Sequence, residues 1–138
     1  MTTQSIDYTN WTNMTSLFRR GYTAGDRLVR GWQGTVEVDD EVGVTRDDDG
    51  KMVLFNPVKV FVAAAEILFM RHNRDDRPDG QMCPSMSVGD VVQFGEVALT
   101  CQSSGWEFVR LDGAELIVDR TWSAVIRESR AVLGERDL

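Results

Sequence analysis

The chain has 138 residues, 42% of them apolar and 27% charged, with a formal net charge of −7. That length suits one domain with its own core. The acidic balance argues against binding a phosphate backbone, which requires Lys and Arg to neutralise phosphates.

Thirteen of the fifteen basic residues are Arg, and they sit beside Asp and Glu, which reads as a solvated, locally paired surface. The two cysteines, Cys83 and Cys101, are expected as free thiols in a cytoplasm, because residues 1–20 lack the apolar stretch of an export signal. The longest apolar segment, Val58 to Met70, is broken by Lys59 and Glu66 and is too short to span a bilayer.

Residues 1–26 show weak periodicity and many Thr and Asn. They are expected to be loosely ordered, with a helical turn near Thr15–Arg19 docking Leu17 and Phe18 on the body. From Arg27 the pattern becomes extended: Leu28, Val29, Trp32, Val36 and Val38 alternate with polar residues. Gly31 and Gly34 mark a bend or bulge in it. A hairpin follows, with Val42 and Val44 outbound, Asp49-Gly50 in the turn, and Met52 to Phe55 returning.

Asn56-Pro57 is a helix start, since Asn caps and Pro suits the first helical position. The helix it opens is apolar almost all round, so it is expected to be largely buried, with only the strip of Lys59, Ala63 and Glu66 wet. Arg71 and His72 complement the dipole at its end, and Asn73 terminates it. Residues 74–84, "RDDRPDGQMCP", read as a mobile charged loop.

Val88-Gly89-Asp90 then turns the chain into four strands of an antiparallel meander. Phe94-Gly95 is read as one two-residue turn, setting Val92 opposite Val97 and Val91 opposite Ala98. "SSG" is the next turn. Asp112-Gly113 is the last, pairing Arg110 with Glu115, Phe108 with Ile117 and Val109 with Leu116. Asp119 is expected to cap a final helix. Its apolar face holds Trp122, Val125, Ile126, Ser129, Val132 and Leu133, and Gly134 ends it.

The run Ser85, Ser87, Val88, Gly89, Asp90, Val91, Val92, followed after a hairpin by Gly105 and Trp106, resembles a signature of YodL-like domains and of small uncharacterised proteins of bacteriophages and mobile elements. The resemblance covers about residues 55–109, with Met86 where that pattern has Leu and Phe94-Gly95 where it has Asp-Gly. It implies a phage or mobile-element origin. It implies no known activity, so no functional residue is carried over.

The residues themselves assemble no catalytic motif. His72 is the only histidine and reads as a helix-end residue. Cys83, Cys101 and His72 fall one ligand short of a zinc site. "TRDDDG" fails as a calcium loop, since Thr45 and Asn56 stand at the positions that need carboxylates. No Gly-rich phosphate loop and no nucleophile elbow occur. Of the four Trp, Trp106 and Trp122 are assigned to the core, and Trp32, beside Gly31 and Gly34, is the candidate exposed anchor.

The expected fold is a single α+β domain over residues 1–138: an antiparallel β-meander packed against one buried central helix and a C-terminal amphipathic helix. The expected function is that of a non-enzymatic accessory protein binding a host protein in a bacterial cytoplasm. Direct nucleic-acid or membrane contact, cofactor and metal are not expected, and self-association stays open. The candidate binding residues are Trp32, Asp39, Asp40, Glu41, Asp75, Asp76 and Arg77. One alternative is an acidic nucleic-acid mimic, which needs Asp39, Asp40, Glu41 and Asp47 to Asp49 on one continuous face. A second is a small metal-dependent hydrolase, which needs converging carboxylates.

Overall fold

The computed structural model describes residues 2–15, 22–73, 86–118 and 120–134. The chain is α+β. Its strands are β1 (Thr3–Asn13), β2 (Leu28–Asp39), β3 (Val44–Arg46), β4 (Met52–Phe55), β5 (Val91–Phe94), β6 (Val97–Cys101), β7 (Trp106–Asp112) and β8 (Glu115–Ile117). Helix α1 (Pro57–His72) lies between β4 and β5, and α2 (Trp122–Leu133) follows β8. One six-stranded antiparallel sheet has the order β2-β1-β5-β6-β7-β8, and β3 and β4 form a separate hairpin.

The meander of β5 to β8 is present as expected, but β1 and β2 extend it. Residues 3–13, expected to be loose, form an 11-residue strand between β2 and β5. Ile6, Tyr8 and Asn10 alternate inward along it, and the polar Asn10 among them masks the two-residue period. The expected helical turn at Thr15–Arg19 falls mostly outside the described residues.

Gly31 is the bulged residue of β2. Asn10 pairs with Trp32 and Trp11 with Arg30, so Gly31 has no partner on β1. One extra residue exchanges the faces of a strand. Val36 and Val38 therefore join the core beneath the helices, while Leu28 joins a second core on the other side of the sheet.

That second core exists because the sheet curls until its ends meet. Arg27 bridges Glu115, and Leu28 N donates to Ala114 O at 2.8 Å. Gly25 N donates to Leu116 O, and Leu116 N to Asp26 O. Leu28, Val91, Ala98, Val109 and Leu116 fill the curl, with Trp11, Tyr22, Leu111 and Val118 at its margins. Their sequence neighbours Val92, Leu99 and Phe108 belong to the helix-side core. β5 and β6 are thus buried on both faces.

The helices run antiparallel across the other face. Phe61 of α1 meets Phe94 at a centroid distance of 5.4 Å, and Phe69 further along meets Trp106. Trp122 at the start of α2 meets Phe108, and Val132 near its end lies against Gly95. Each fully covered Leu, Val or Phe contributes roughly 1.5–3 kcal/mol through lost water contact, which makes this layer the main source of stability. Asn56 caps α1 by accepting from Val58 N at 3.1 Å, with Pro57 in the first turn. Thr121 caps α2 by accepting from Ala124 N; Asp119, the expected cap, lies outside the described residues.

Both two-residue hairpins place glycine first in the loop. Gly95 has φ +61° and Gly113 φ +60°, the arrangement that suits a type II′ turn. Phe94 consequently pairs with Val97 and Val92 with Leu99, and Asp112 pairs with Glu115 and Arg110 with Ile117. Both expected registers are thereby corrected by two residues. The expected Arg110–Glu115 pair does not form: Glu115 stands opposite Asp112, and its backbone bridges that of Arg27.

Candidate protein-interaction surface

Helix α1 is apolar on more sides than the sheet covers. Val60, Phe61, Ala64, Ala65 and Leu68 are buried, but Ile67, Phe69 and Met70 stand at the surface, Met70 at 59% exposure. The wet strip is therefore wider than Lys59, Ala63 and Glu66. Beside it, Trp122 in the first turn of α2 is 62% exposed, which corrects its assignment to the core. Between the two helices β7 shows the half-buried rings of Trp106 and Phe108.

Phe69, Trp106, Phe108 and Trp122 form one aromatic surface, while Ile67 lies on the opposite flank of α1, the side from which Arg71 reaches β2. Phe69 meets Trp106 edge-to-face at 6.3 Å between centroids, and Phe108 meets Trp122 edge-to-face at 6.0 Å. Trp106 and Phe108 are two apart on β7 and share its helix-side face. The C-terminal half of α1 and the start of α2 thus flank an aromatic floor laid by the strand. Edge-to-face contacts fix the rings, each pair covering one ring face and leaving the others available. Exposed Glu66 and Arg127 provide charge on the two flanking helices.

The residues singled out from sequence lie elsewhere. Trp32 is half-buried against the helix-side core, with its indole close to Gly34, so it is no free anchor. Asp39 accepts from Glu41 N at 2.8 Å and shapes the turn after β2. Glu41 is held by two hydrogen bonds from Arg46, at 2.8 and 2.9 Å. Asp40 N bonds Thr2 O. Asp75, Asp76 and Arg77 lie outside the described residues. Asp47 accepts from Asp49 N and Lys51 N at the tip of the β3–β4 hairpin. The two acidic groups sit at opposite ends of β3 with Arg46 between them, an arrangement that disfavours a continuous acidic face.

The signature residues 87–90 build a buried polar knot. Asp90 Oδ2 accepts from Ser87 N and Oδ1 from Asn13 N, both at 2.9 Å, while Asp90 N returns a bond to Ser87 O. Gly89 adopts φ +96° and its N–H bonds Cys101 O. Asn13 Nδ2 donates to both Asp26 Oδ2 and Gly89 O at 3.0 Å. Thr23 supplies Asp26 with two further donors. The knot fastens β1, the segment before β2 and the start of β5 together. Burial raises the Asp90 carboxyl above its ordinary range, more than the two backbone N–H bonds lower it. Burial, then the nearby Asp90 charge, pushes the Cys101 thiol up to about 11. A thiol held protonated in this way is a poor nucleophile.

His72 is fully buried in the core rather than finishing the helix in solvent. Its Nε2 shares a hydrogen bond of 2.9 Å with the Tyr8 hydroxyl, and the rings meet edge-to-face. A depression of about 300 Å³ on the outer sheet face is lined by Asp7, Tyr8, Thr9, Gln33, Gly34, Gln93 and Gly95. Its amides are engaged locally: Gln93 bonds Trp11 Nε1 and Gly95 O, and Gln33 reaches Thr9. Among the described residues no three His, Cys, Asp or Glu side chains converge as metal ligands would.

Compared with protein-family models, curated proteins and solved structures, the chain has no significant match. Among the described residues no helix is long and apolar enough to cross a membrane.

The aromatic surface escaped sequence reasoning, although one signal pointed to it. A helix apolar all round with a single sheet beneath it leaves part of its surface uncovered unless other elements close over it.

Proposed function

We propose that the chain is a non-enzymatic binding protein of phage or mobile-element origin that docks on a host protein in a bacterial cytoplasm. The observation that carries this reading is the surface of Phe69, Met70 and Trp122 around the rings of Trp106 and Phe108. Clustered exposed aromatic and Met side chains are what protein interfaces enrich, and Trp is a frequent anchor of binding energy. The buried knot supports the reading indirectly, since its residues serve the fold. The origin rests on the resemblance carried by Ser85 to Val92 and Gly105-Trp106.

The test compares capture from bacterial lysate by the wild-type chain and by Met70→Ser/Trp122→Ser. Both side chains are exposed, so the double variant keeps its stability to within about 1 kcal/mol. A partner retained by the wild type should bind the variant roughly thirtyfold more weakly, as loss of an interface anchor requires. Recovery of the same partner by both proteins, or of none by the wild type, defeats the proposal.

A further inference from the structure

Strand β2 ends the sheet, and most of its outer edge is uncovered by described residues. The direction of its main-chain groups follows from the bonds at its two ends and middle. Asp40 N reaches back to Thr2 O and Arg27 O accepts from Met14 N, so these residues face β1. Leu28 N points the other way, to Ala114 O. Thr35 O also points outward, where Arg71 Nη1 reaches it at 2.9 Å. Alternation across the Gly31 bulge then sends the N–H and C=O groups of Arg30, Gln33, Thr35, Glu37 and Asp39 outward. Leu28 is engaged by Ala114 in the turn before β8, so the open stretch runs from Arg30 to Asp39.

We propose that this edge pairs antiparallel with the same edge of a second copy of the chain, about a two-fold axis at Gly34. In that register Gln33 lies opposite Thr35 of the second copy, and the bulge brings Arg30 opposite Glu37, each twice by symmetry. Arg30 and Glu37 are both exposed and both on the outer face of the sheet, Arg30 over the Trp11 ring and Glu37 paired with Ser5. Opposite charges therefore meet across the axis. An axis at Glu37 would set carboxylate against carboxylate, and one at Arg30 would set cation against cation. Gly34 also suits the axis itself. Its N–H and C=O face β1, so two copies meet there as a non-hydrogen-bonded pair, the closest approach in an antiparallel ladder.

Arg71 opposes this pairing. The Thr35 carbonyl it holds is the acceptor that Gln33 N–H of the second copy requires. The helix thus caps the edge within one chain, and dimerisation displaces that cap.

Sedimentation of the full chain over a range of concentrations tests the proposal. The wild type should show a monomer–dimer equilibrium. Glu37→Arg or Arg30→Glu alone should weaken the dimer about tenfold, since each replaces two attractive cross-strand pairs by repulsive ones. The combined reversal Arg30→Glu/Glu37→Arg should restore it to within about threefold of wild type, which also shows that the single variants fold. Arg71→Ala should tighten it. Trp122→Ser should leave it unchanged, so failure here is distinct from failure of the docking surface. A chain monomeric in both the wild type and Arg71→Ala overturns self-pairing and leaves the edge to an extended segment of another protein. A dimer indifferent to the single charge reversals, or abolished by Trp122→Ser, overturns it as well.

Discussion

Replacing Asn13 by alanine cuts the side-chain strands of the polar knot and leaves its backbone bond intact. Asn13 N still donates to Asp90, but Nδ2 no longer reaches Asp26 Oδ2 and Gly89 O, each at 3.0 Å. Both acceptors lie in buried residues; Asp26 is 2% exposed. Thr15 N loses Asn13 Oδ1 as acceptor, at a part-buried and cheaper position. A hydrogen bond to a carbonyl contributes about 1 kcal/mol and one to a carboxylate about 1.5–3 kcal/mol. The expected loss is therefore about 3 kcal/mol, a large share of the roughly 5–15 kcal/mol that holds a domain together. Asn13→Asp should cost more at neutral pH, because it removes both donors and adds a negative charge beside Asp26 and Asp90. Urea unfolding followed by Trp fluorescence measures both. A loss below about 1 kcal/mol for Asn13→Ala with an unchanged m-value would show that the knot does not tie the three segments.

Two further outcomes follow from buried geometry. In a Cys83→Ser background, Cys101 should react slowly with a maleimide or a disulfide reagent near pH 8 in the folded chain and fully in urea. The folded thiol keeps its proton until about pH 11 while the unfolded one releases it near 9.0. Stability is therefore unaffected by this group below pH 9 and falls as pH rises from there toward 11, which pH-dependent urea midpoints report. Gly43 and Gly50 have nearly the same φ, +81° and +82°, but a Cβ at Gly43 would stand 2.4 Å from Asn56 O, whereas at Gly50 it would meet nothing within 4 Å beyond its chain neighbours. Gly50→Ala should cost about 1–2 kcal/mol from the left-handed conformation alone, and Gly43→Ala clearly more, read from thermal unfolding. Gly43 O also accepts from Asn56 N, so the larger change should disturb the start of α1.

Features governed by local chemistry were legible in the sequence. Asn56-Pro57 opens α1 as expected because a cap and a fixed φ act within one turn. Gly31 reads as a bulge candidate because a glycine interrupting a strand pattern has few other uses, and it is the bulged residue. The hairpins were located but misregistered, since a glycine in a two-residue turn can take either loop position and the neighbours do not decide between them. β1 was missed because its partners are β2 and the distant β5, and because Asn10 and Asn13 occupy inward positions that a periodicity search reserves for apolar residues. Trp122 was misplaced for a related reason. Helical spacing puts it on the stripe of Val125 and Ser129, but spacing does not say how far the sheet extends beneath the first turn. The acidic residues identified as a surface were in the expected turns, where Asp39, Glu41 and Asp47 are occupied with main-chain and Arg46 bonds.

The unpaired residue in β2 makes the two hydrophobic compartments interdependent. Leu28 anchors one and Val36 the other, on a single continuous strand. Neither compartment can assemble in isolation, because docking the strand into one imposes its alignment in the other. Folding intermediates with half the interior in place are thereby disfavoured, and cooperative, all-or-none melting is the physical result.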